Sequence, residues 1–403
     1  MTALLAERAV EVVAAAQQLL ARRMGAPVKL VDPVELGGSG RTIVLRVRVA
    51  ENTFALPRTL VIKQVLAAGD HKVGSAEPGV VSVDSAFLRE AVSYQFATAL
   101  ARENRPGADL LAYDLEARLL VLSDLGDSQR LTEVLRHALS DGAVRPNRAN
   151  VLMAFAQALG RMHAATVGRE DDFTALLRRV ELAHRVDGIA AQAEAAVEEV
   201  PGLLSERLGV AVPDDVLDEV RRCVPLFGVG PQPAPNRMRA FSPSDLCPDN
   251  IIVNENGVRF LDYEWGGFRD ATLDIAYALV SFPGCLCDHD LSRDLSRQMV
   301  EAWRAEVVHV WPQLADDDVL ARKILDARLM WVWLTTFWFL PGDHARVAAA
   351  RAHGLSVPRS HALLRRWAGL AEDARILGDD TLADFAEAVT ATLDADNDAD
   401  TPD

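Results

Sequence analysis

The chain has 403 residues, 42 Lys and Arg against 58 Asp and Glu for a net charge of −16, with half its residues apolar and a quarter charged. That is ordinary globular usage and excludes a disordered, collagen-like or repeat-dominated chain; the length allows about two or three domains. The acidic balance argues against nucleic acid and anionic membrane as partners and favours a cationic small molecule. Four cysteines, Cys223, Cys247, Cys285 and Cys287, are too sparse for a secreted disulfide framework and point to a reducing, cytoplasmic setting.

The opening segment MTALLAERAVEVVAAAQQLLARR carries Glu7, Arg8 and Glu11 where a signal peptide needs an unbroken apolar run, so it reads as an amphipathic helix. Val28 to Val65 is rich in β-branched residues and turns and reads as strands around the turn Gly37-Gly38-Ser39-Gly40. Helical spacing takes over from Phe87 to Ala101, and Arg118–Ser123 returns to a strand before the turn-like DLGDSQ. From Leu131 onward the pattern is helical apart from one hairpin. The window Leu329–Leu340 (LMWVWLTTFWFL) has 12 residues, short of the ~20 that span a bilayer, and reads as a buried helix with Trp331, Trp333, Phe337 and Trp338 in the core. The tail ADNDADTPD is acidic, lacks aromatics and is expected to be disordered.

The hairpin is formed by Ile251–Val253 and Val258–Leu261 around Asn-Glu-Asn-Gly. With Asn254–Gly257 as the loop, Val253 opposes Val258 and Asn250 opposes Leu261; with an Asn256-Gly257 turn, Ile251 opposes Asp262. Both registers bring Asn250 within about one rung of Asp262, and an amide oxygen beside a carboxylate suits Mg2+, which takes few protein oxygens and completes its shell with phosphate and water. Asp245 precedes Asn250 on the loop SPSDLCPDN. A carboxylate base beside two metal ligands is what phosphoryl transfer needs.

At the phosphate end, the turn at Gly37–Gly40 can bring backbone N–H groups close to an anion. No Gly-Lys-Ser/Thr follows, so it is not a Walker A loop. Lys63 shares a strand face with Val61 and Val65, so its ammonium emerges from apolar surface and needs a partner. Phe87, Glu90, Ala91 and Tyr94 recur at i, i+3, i+4 and i+7, which sets Glu90 on an apolar helix face. A Lys63–Glu90 pair relieves both desolvation problems and aims the lysine at phosphates. Cys285, Cys287, Asp288 and His289 match no zinc spacing, and His163, on an apolar helix, reads as a satisfied core histidine.

The ordered set of Gly37-Gly38-Ser39-Gly40, Lys63, Glu90, LVLSDLGD at 120–127, ALGRMHA at 158–164, SDLCPDN at 244–250 and FLDYEWGGFRDATLDIA at 260–276 resembles the aminoglycoside phosphotransferase and choline kinase family, small-molecule relatives of protein kinases. The resemblance implies an α+β, two-lobed protein-kinase-like fold. It has a β-rich lobe at 1–122, a larger helical lobe at 123–393 and the acidic tail at 394–403. It implies ATP and Mg2+ as cofactors, with Gly38, Ser39, Gly40, Lys63 and Glu90 on the phosphates and the connector from Ser123 to Leu125 on adenine. Asp245 is then the catalytic base, Asn250 and Asp262 are metal ligands, and Glu264 assists the second metal or the substrate. The expected reaction moves the γ-phosphoryl group to a hydroxyl of a small molecule. Glu264, Asp270 and Asp274 favour an amine-bearing acceptor such as an aminoglycoside or another antibiotic. One departure stands out: the family's His-Gly-Asp is Pro243-Ser244-Asp245 here. The alternative is a nucleotide-binding pseudokinase with a regulatory role.

Overall fold

A computed structural model describes residues 3–37, 42–50, 56–66, 83–137, 148–180, 187–228, 238–285, 291–340 and 359–399. The chain folds into two lobes, one built on a sheet and one almost wholly helical. In the first, α1 (Ala3–Met24), β1 (Leu30–Gly37), β2 (Thr42–Val49), β3 (Thr59–Val65), α2 (Val83–Thr98), β4 (Leu110–Asp114) and β5 (Leu119–Ser123) follow in order. The strands pair antiparallel as β1-β2-β3-β5-β4.

Alternation along these strands separates two cores. Leu45, Val47, Leu60, Ile62, Leu119 and Val121 face α1, whose Val12, Ala16 and Leu20 cover that side of the sheet. Leu120 and Leu122, with Val61 and Val65 beside them, face the other way and join α2 and the helical lobe in the main core. Lys63 lies between Val61 and Val65 on β3, so the period of two carries it to the side of α2 and the second lobe. The helix expected from Phe87 begins earlier, at Val83, and β4 was not apparent in the sequence.

The helical lobe contains α3 (Leu131–His137), α4 (Arg148–Thr166), α5 (Glu170–Leu177), α6 (Gly188–Leu208), α7 (Asp214–Cys223), α8 (Thr272–Cys285), α9 (Arg293–Val307), α10 (Asp317–Phe339), α11 (Arg359–Ile376) and α12 (Asp380–Ala399). Trp331 and Trp333 of α10 are buried, and their indole N–H groups donate to the carbonyls of Leu273 and Ala196. No described helix is long and apolar enough to cross a membrane. The tail expected to be disordered from 394 is instead helical to Ala399. Leu382, Phe385, Val389 and Leu393 anchor α12 in the core, and extending an anchored helix is cheaper than nucleating one.

Two small sheets sit where the lobes meet. One pairs β7 (Arg239–Ser242) with β10 (Gly267–Asp270); the other orders β6 (Gln129–Arg130), β8 (Ile251–Asn254) and β9 (Gly257–Phe260). The β8–β9 register sets Val253 opposite Val258 and Ile251 opposite Phe260, and Leu261 N donates to Asn250 O at 2.8 Å. Of the two expected registers this is the one with Asn250 opposite Leu261; Ile251 does not face Asp262. Glu255 and Asn256 make the turn, held by Asn256 N donating to Asn254 Oδ1 at 2.8 Å, with Gly257 following at φ +98°.

Helix α9 packs closely against α4 at Gly160. A β-carbon there would lie 2.7 Å from Glu306 Cβ and 2.9 Å from the carbonyl of Trp303. Gly→Ala in a helix gains about 1 kcal/mol in propensity, whereas overpacking a site whose neighbour is backbone costs about 1–3 kcal/mol. Gly160→Ala is therefore expected to destabilise the protein by about 1 kcal/mol; a urea midpoint equal to or above the wild type would contradict this packing.

Candidate active site

The site begins at Lys63. Its ammonium donates to Glu90 Oε1 at 2.6 Å and to Asp262 Oδ1 at 2.7 Å. The three groups come from β3, α2 and the segment after β9, so one cation joins both lobes. Lys63 is 8% and Glu90 1% exposed, and the Asp262 side chain is 40% exposed. Two members are thus sealed and the third is partly open to solvent. Burial opposes the charge on Lys63, but Asp262 and Glu90 outweigh it and hold the ammonium well above its usual pKa. Burial, with Asp262 and Glu264 adding repulsion, pushes the Glu90 carboxyl up to about 7 against the pull of Lys63.

Asp262 is held in an unusual backbone state, φ +55°. Such a residue costs about 1–3 kcal/mol and persists only where its surroundings force it. Here the next residue does so: the Tyr263 ring is buried 4.6 Å from that of Tyr94 on α2 and 5.9 Å from that of Phe241 on β7. Gly107 and Gly266 make room, since β-carbons there would lie 2.4 Å from Tyr263 Oη and Ser93 Oγ. Tyr263 escaped the sequence reading because a single aromatic after an aspartate carries no periodicity.

Asn250 lies in the short turn Pro248–Asn250 before β8 and is buried, as is Asp245. Its Nδ2 donates to Asp245 Oδ2 at 2.9 Å and to Asp245 O at 3.2 Å. A carboxylate and a carbonyl only accept, so the amide nitrogen must face Asp245, which turns the amide oxygen to the other side. Arg130 donates to the carbonyl of Asp249 and steadies the same turn. Asp245, Asn250 and Asp262 are therefore linked in series: Asp245 to Asn250 by side chains, Asn250 to Leu261 by backbone, and Leu261 to Asp262 by the chain.

The peptide ahead of Asp245 is also pinned. Ser242 Oγ donates to Asp274 Oδ1 at 2.6 Å and accepts from Ser244 N at 3.0 Å. His163 Nε2 meets Asp274 Oδ2 at 3.0 Å, and Trp303 Nε1 donates to His163 Nδ1 at 3.0 Å. An indole N–H can only donate, so the His163 proton sits on Nε2, facing the carboxylate. His163 is thus a buried, doubly bonded supporting residue. Asp274 and Asp270 are 1% exposed, and Asp270 accepts from Thr272 N and Oγ1 at 3.1 and 2.6 Å. Both are committed internally, which corrects the expectation that they favour an amine-bearing acceptor.

At the connector, Ser123 N donates to Asp109 O at 2.9 Å and Ser123 Oγ accepts from Asp109 N at 2.8 Å. Leu125 O accepts from Asn254 Nδ2 at 2.8 Å. Gly38, Ser39 and Gly40, and likewise Cys287, Asp288 and His289, lie outside the described residues. Among the described residues no three His, Cys, Asp or Glu side chains converge into a metal cage. Asn250 and Asp262 fit Mg2+ differently: they offer two hard oxygens, the number it takes from protein when phosphate and water supply the rest.

No protein-family model and no curated protein matches the chain. Solved structures similar to it include a choline/ethanolamine kinase family protein from Mesorhizobium loti (14% identity, 94% of this chain and 99% of that one, TM-score 0.47). Others are a choline kinase from Cryptosporidium parvum (11% identity, 88% and 91%, TM-score 0.49) and one from Streptococcus pneumoniae (14% identity, 89% and 99%, TM-score 0.46).

A carboxyl whose folded pKa lies above its unfolded value stabilises the fold below the unfolded pKa and loses that contribution as pH rises through the folded one. For Glu90 the loss runs from about 4.5 to about 7. Stability relative to Glu90→Gln is expected to fall across this window and then level. A difference that is flat across it, measured by denaturant unfolding, would contradict the assignment.

Proposed function

We propose that the protein is a Mg2+-dependent kinase that transfers the γ-phosphoryl group of ATP to a hydroxyl of a small molecule. The observation that carries this reading is the junction at Lys63, where one buried ammonium binds a helix carboxylate and the Asp262 carboxylate, with Asn250 and Asp245 next in line. Glu90 and Asp262 already place two carboxylates on one ammonium, and Glu264 adds negative charge to the same region. A polyanion such as ATP enters only with added positive charge, so nucleotide and divalent metal belong together.

In this reading Asn250 Oδ1 and the Asp262 carboxylate would hold Mg2+, which would supply charge neutralisation at phosphate oxygens. Lys63, kept charged and oriented by Glu90, binds phosphate oxygens from the sheet side. Gly38, Ser39 and Gly40, expected on the phosphates, lie outside the described residues. Adenine lies against the connector from Ser123 to Leu125, where the Ser123 amide and the Leu125 carbonyl already have protein partners, so the remaining backbone groups would serve it. Asp245 accepts the proton of the acceptor hydroxyl as its oxygen bonds to the γ-phosphorus and the bond to ADP breaks. Asn250, donating to Asp245 Oδ2, fixes the base relative to the metal. The work is positioning and charge neutralisation, with no covalent enzyme intermediate. With Asp270 and Asp274 committed elsewhere, the case for a cationic acceptor such as an aminoglycoside rests on Glu264 and the net charge. A two-lobed enzyme of this kind, with lobes meeting near residue 122 and working in the cytoplasm, accounts for all these features together.

Incubation with ATP, Mg2+ and a panel of hydroxylated amines, sugars and amino alcohols, followed by 31P NMR, is expected to give ADP and a phosphoester. Asp245→Asn should lower kcat at least ~100-fold with nucleotide binding preserved, and Asp262→Asn should weaken Mg-ATP binding itself. Undiminished turnover in Asp245→Asn would overturn the reading. Binding of Mg-ATP without any phosphorylated product would instead place the protein among nucleotide-sensing regulators.

A further inference from the structure

The turn that delivers Asp245 is held by a buried charge network outside the groups assigned above. Ser244 has φ +64°, a left-handed state that costs an L residue other than glycine about 1–2 kcal/mol. Its hydroxyl serves as both donor and acceptor. Ser242 spends its only proton on Asp274, so in the 3.0 Å contact between the two serines Ser244 must donate, and Ser244 Oγ in turn accepts from Arg269 Nη1.

Arg269 is 1% exposed on β10, paired with Ala240 of the strand that leads into this turn. Its Nη2 donates to both oxygens of Asp187 at 2.8 and 2.7 Å. Asp187 caps α6 by accepting from Ala190 N at 3.2 Å and lies 3.7 Å from Arg89 Nη1. Burial alone would raise the Asp187 carboxyl; Arg269 and Arg89 hold it below the ordinary carboxylate range. Arg89 is buried, donates to Gly266 O at 3.0 Å, and is the helix neighbour of Glu90. Gly267 lets the network close, since a β-carbon there would stand 3.1 Å from both Arg269 Nη1 and Asp187 Oδ2.

We propose that Arg269 is a positioning residue for the phosphoryl transfer argued above, on which this inference rests. Through Ser244 Oγ it holds the peptide that presents Asp245, and through Asp187 and Arg89 it ties that peptide to the helix carrying Glu90. The proton acceptor and the lysine's carboxylate partner are thereby set relative to each other by a second route, independent of the Lys63–Asp262 contact. A glycine at 244 would relieve the backbone cost but give up the link; the serine keeps the link and bears the cost.

Arg269→Lys and Ser244→Ala, singly and combined, test this by intrinsic Mg-ATP hydrolysis, which needs no identified acceptor, and by backbone amide exchange across 242–250. Each single variant is expected to lower kcat about tenfold, below the ~100-fold that a 1 Å misplacement can cost, with KM for Mg-ATP within about twofold. The double variant should lose no more than Arg269→Lys alone, because the link that Ser244→Ala cuts is already cut by replacing the arginine. Amide exchange across the turn should accelerate. Arg269 is buried against Asp187, so its replacement can unfold the protein; Ser244→Ala removes only the hydroxyl and carries the test alone. Unchanged amide exchange in Ser244→Ala, additive losses, or wild-type kcat in that variant would overturn the inference while leaving the kinase reading intact. A wild-type protein that neither hydrolyses Mg-ATP nor phosphorylates any acceptor of the panel would overturn the kinase reading, and the positioning role of Arg269 with it.

Discussion

A buried ammonium has to be paired. Taking Lys63 out of water costs several kcal/mol, and removing the partner of a buried ion leaves a deficit of about 3–5 kcal/mol, so the fold must bring carboxylates to it. One comes from the helix packed on the same sheet face, the other from across the lobe boundary. This requirement fixes how α2 lies on the sheet and how far the segment after β9 reaches toward it. The strained backbone at Asp262 and the ring of Tyr263 wedged between Tyr94 and Phe241 are the structural consequences. Of the two carboxylates Asp262 is the more exposed, while Glu90 is sealed with the lysine.

The same logic of paired burial organises the helical lobe beneath the loop. Trp303, His163, Asp274 and Ser242 form one proton-ordered chain, and Arg89, Asp187, Arg269 and Ser244 form another; they meet at the two serines that flank Pro243. With every donor in the first chain assigned, the loop has little freedom to present Asp245 in more than one way. Rigidity at this point is what a reaction driven by positioning requires.

Much of the site was legible because it obeys a period. Lys63 between Val61 and Val65, and Glu90 on the Phe87–Tyr94 face, follow from alternation and helical spacing, and the hairpin limits where Asn250 and Asp262 can lie. What escaped has no period to read. Strands β7 and β10 have four residues each and β6 two, too short for alternation to register. Asp187 and Arg269 are 82 positions apart and meet only where the N-terminus of α6 reaches β10. Asp270 and Asp274 read from composition as open acidic groups, yet they are buried caps and relay members, a distinction that depends on tertiary contacts alone. The acidic tail misled for the same reason: composition spoke for solvent while four apolar residues on one face of α12 spoke for the core.

In the function proposed above, a metal-bound nucleotide binds between Lys63 and Asp245. A crystal structure with Mg2+ and a non-hydrolysable ATP analogue tests it most directly. The account predicts the metal on Asn250 Oδ1 and the Asp262 carboxylate, with the Lys63 ammonium on a phosphate oxygen and still bonded to Glu90. A nucleotide bound elsewhere, or a metal that touches neither Asn250 nor Asp262, would contradict it.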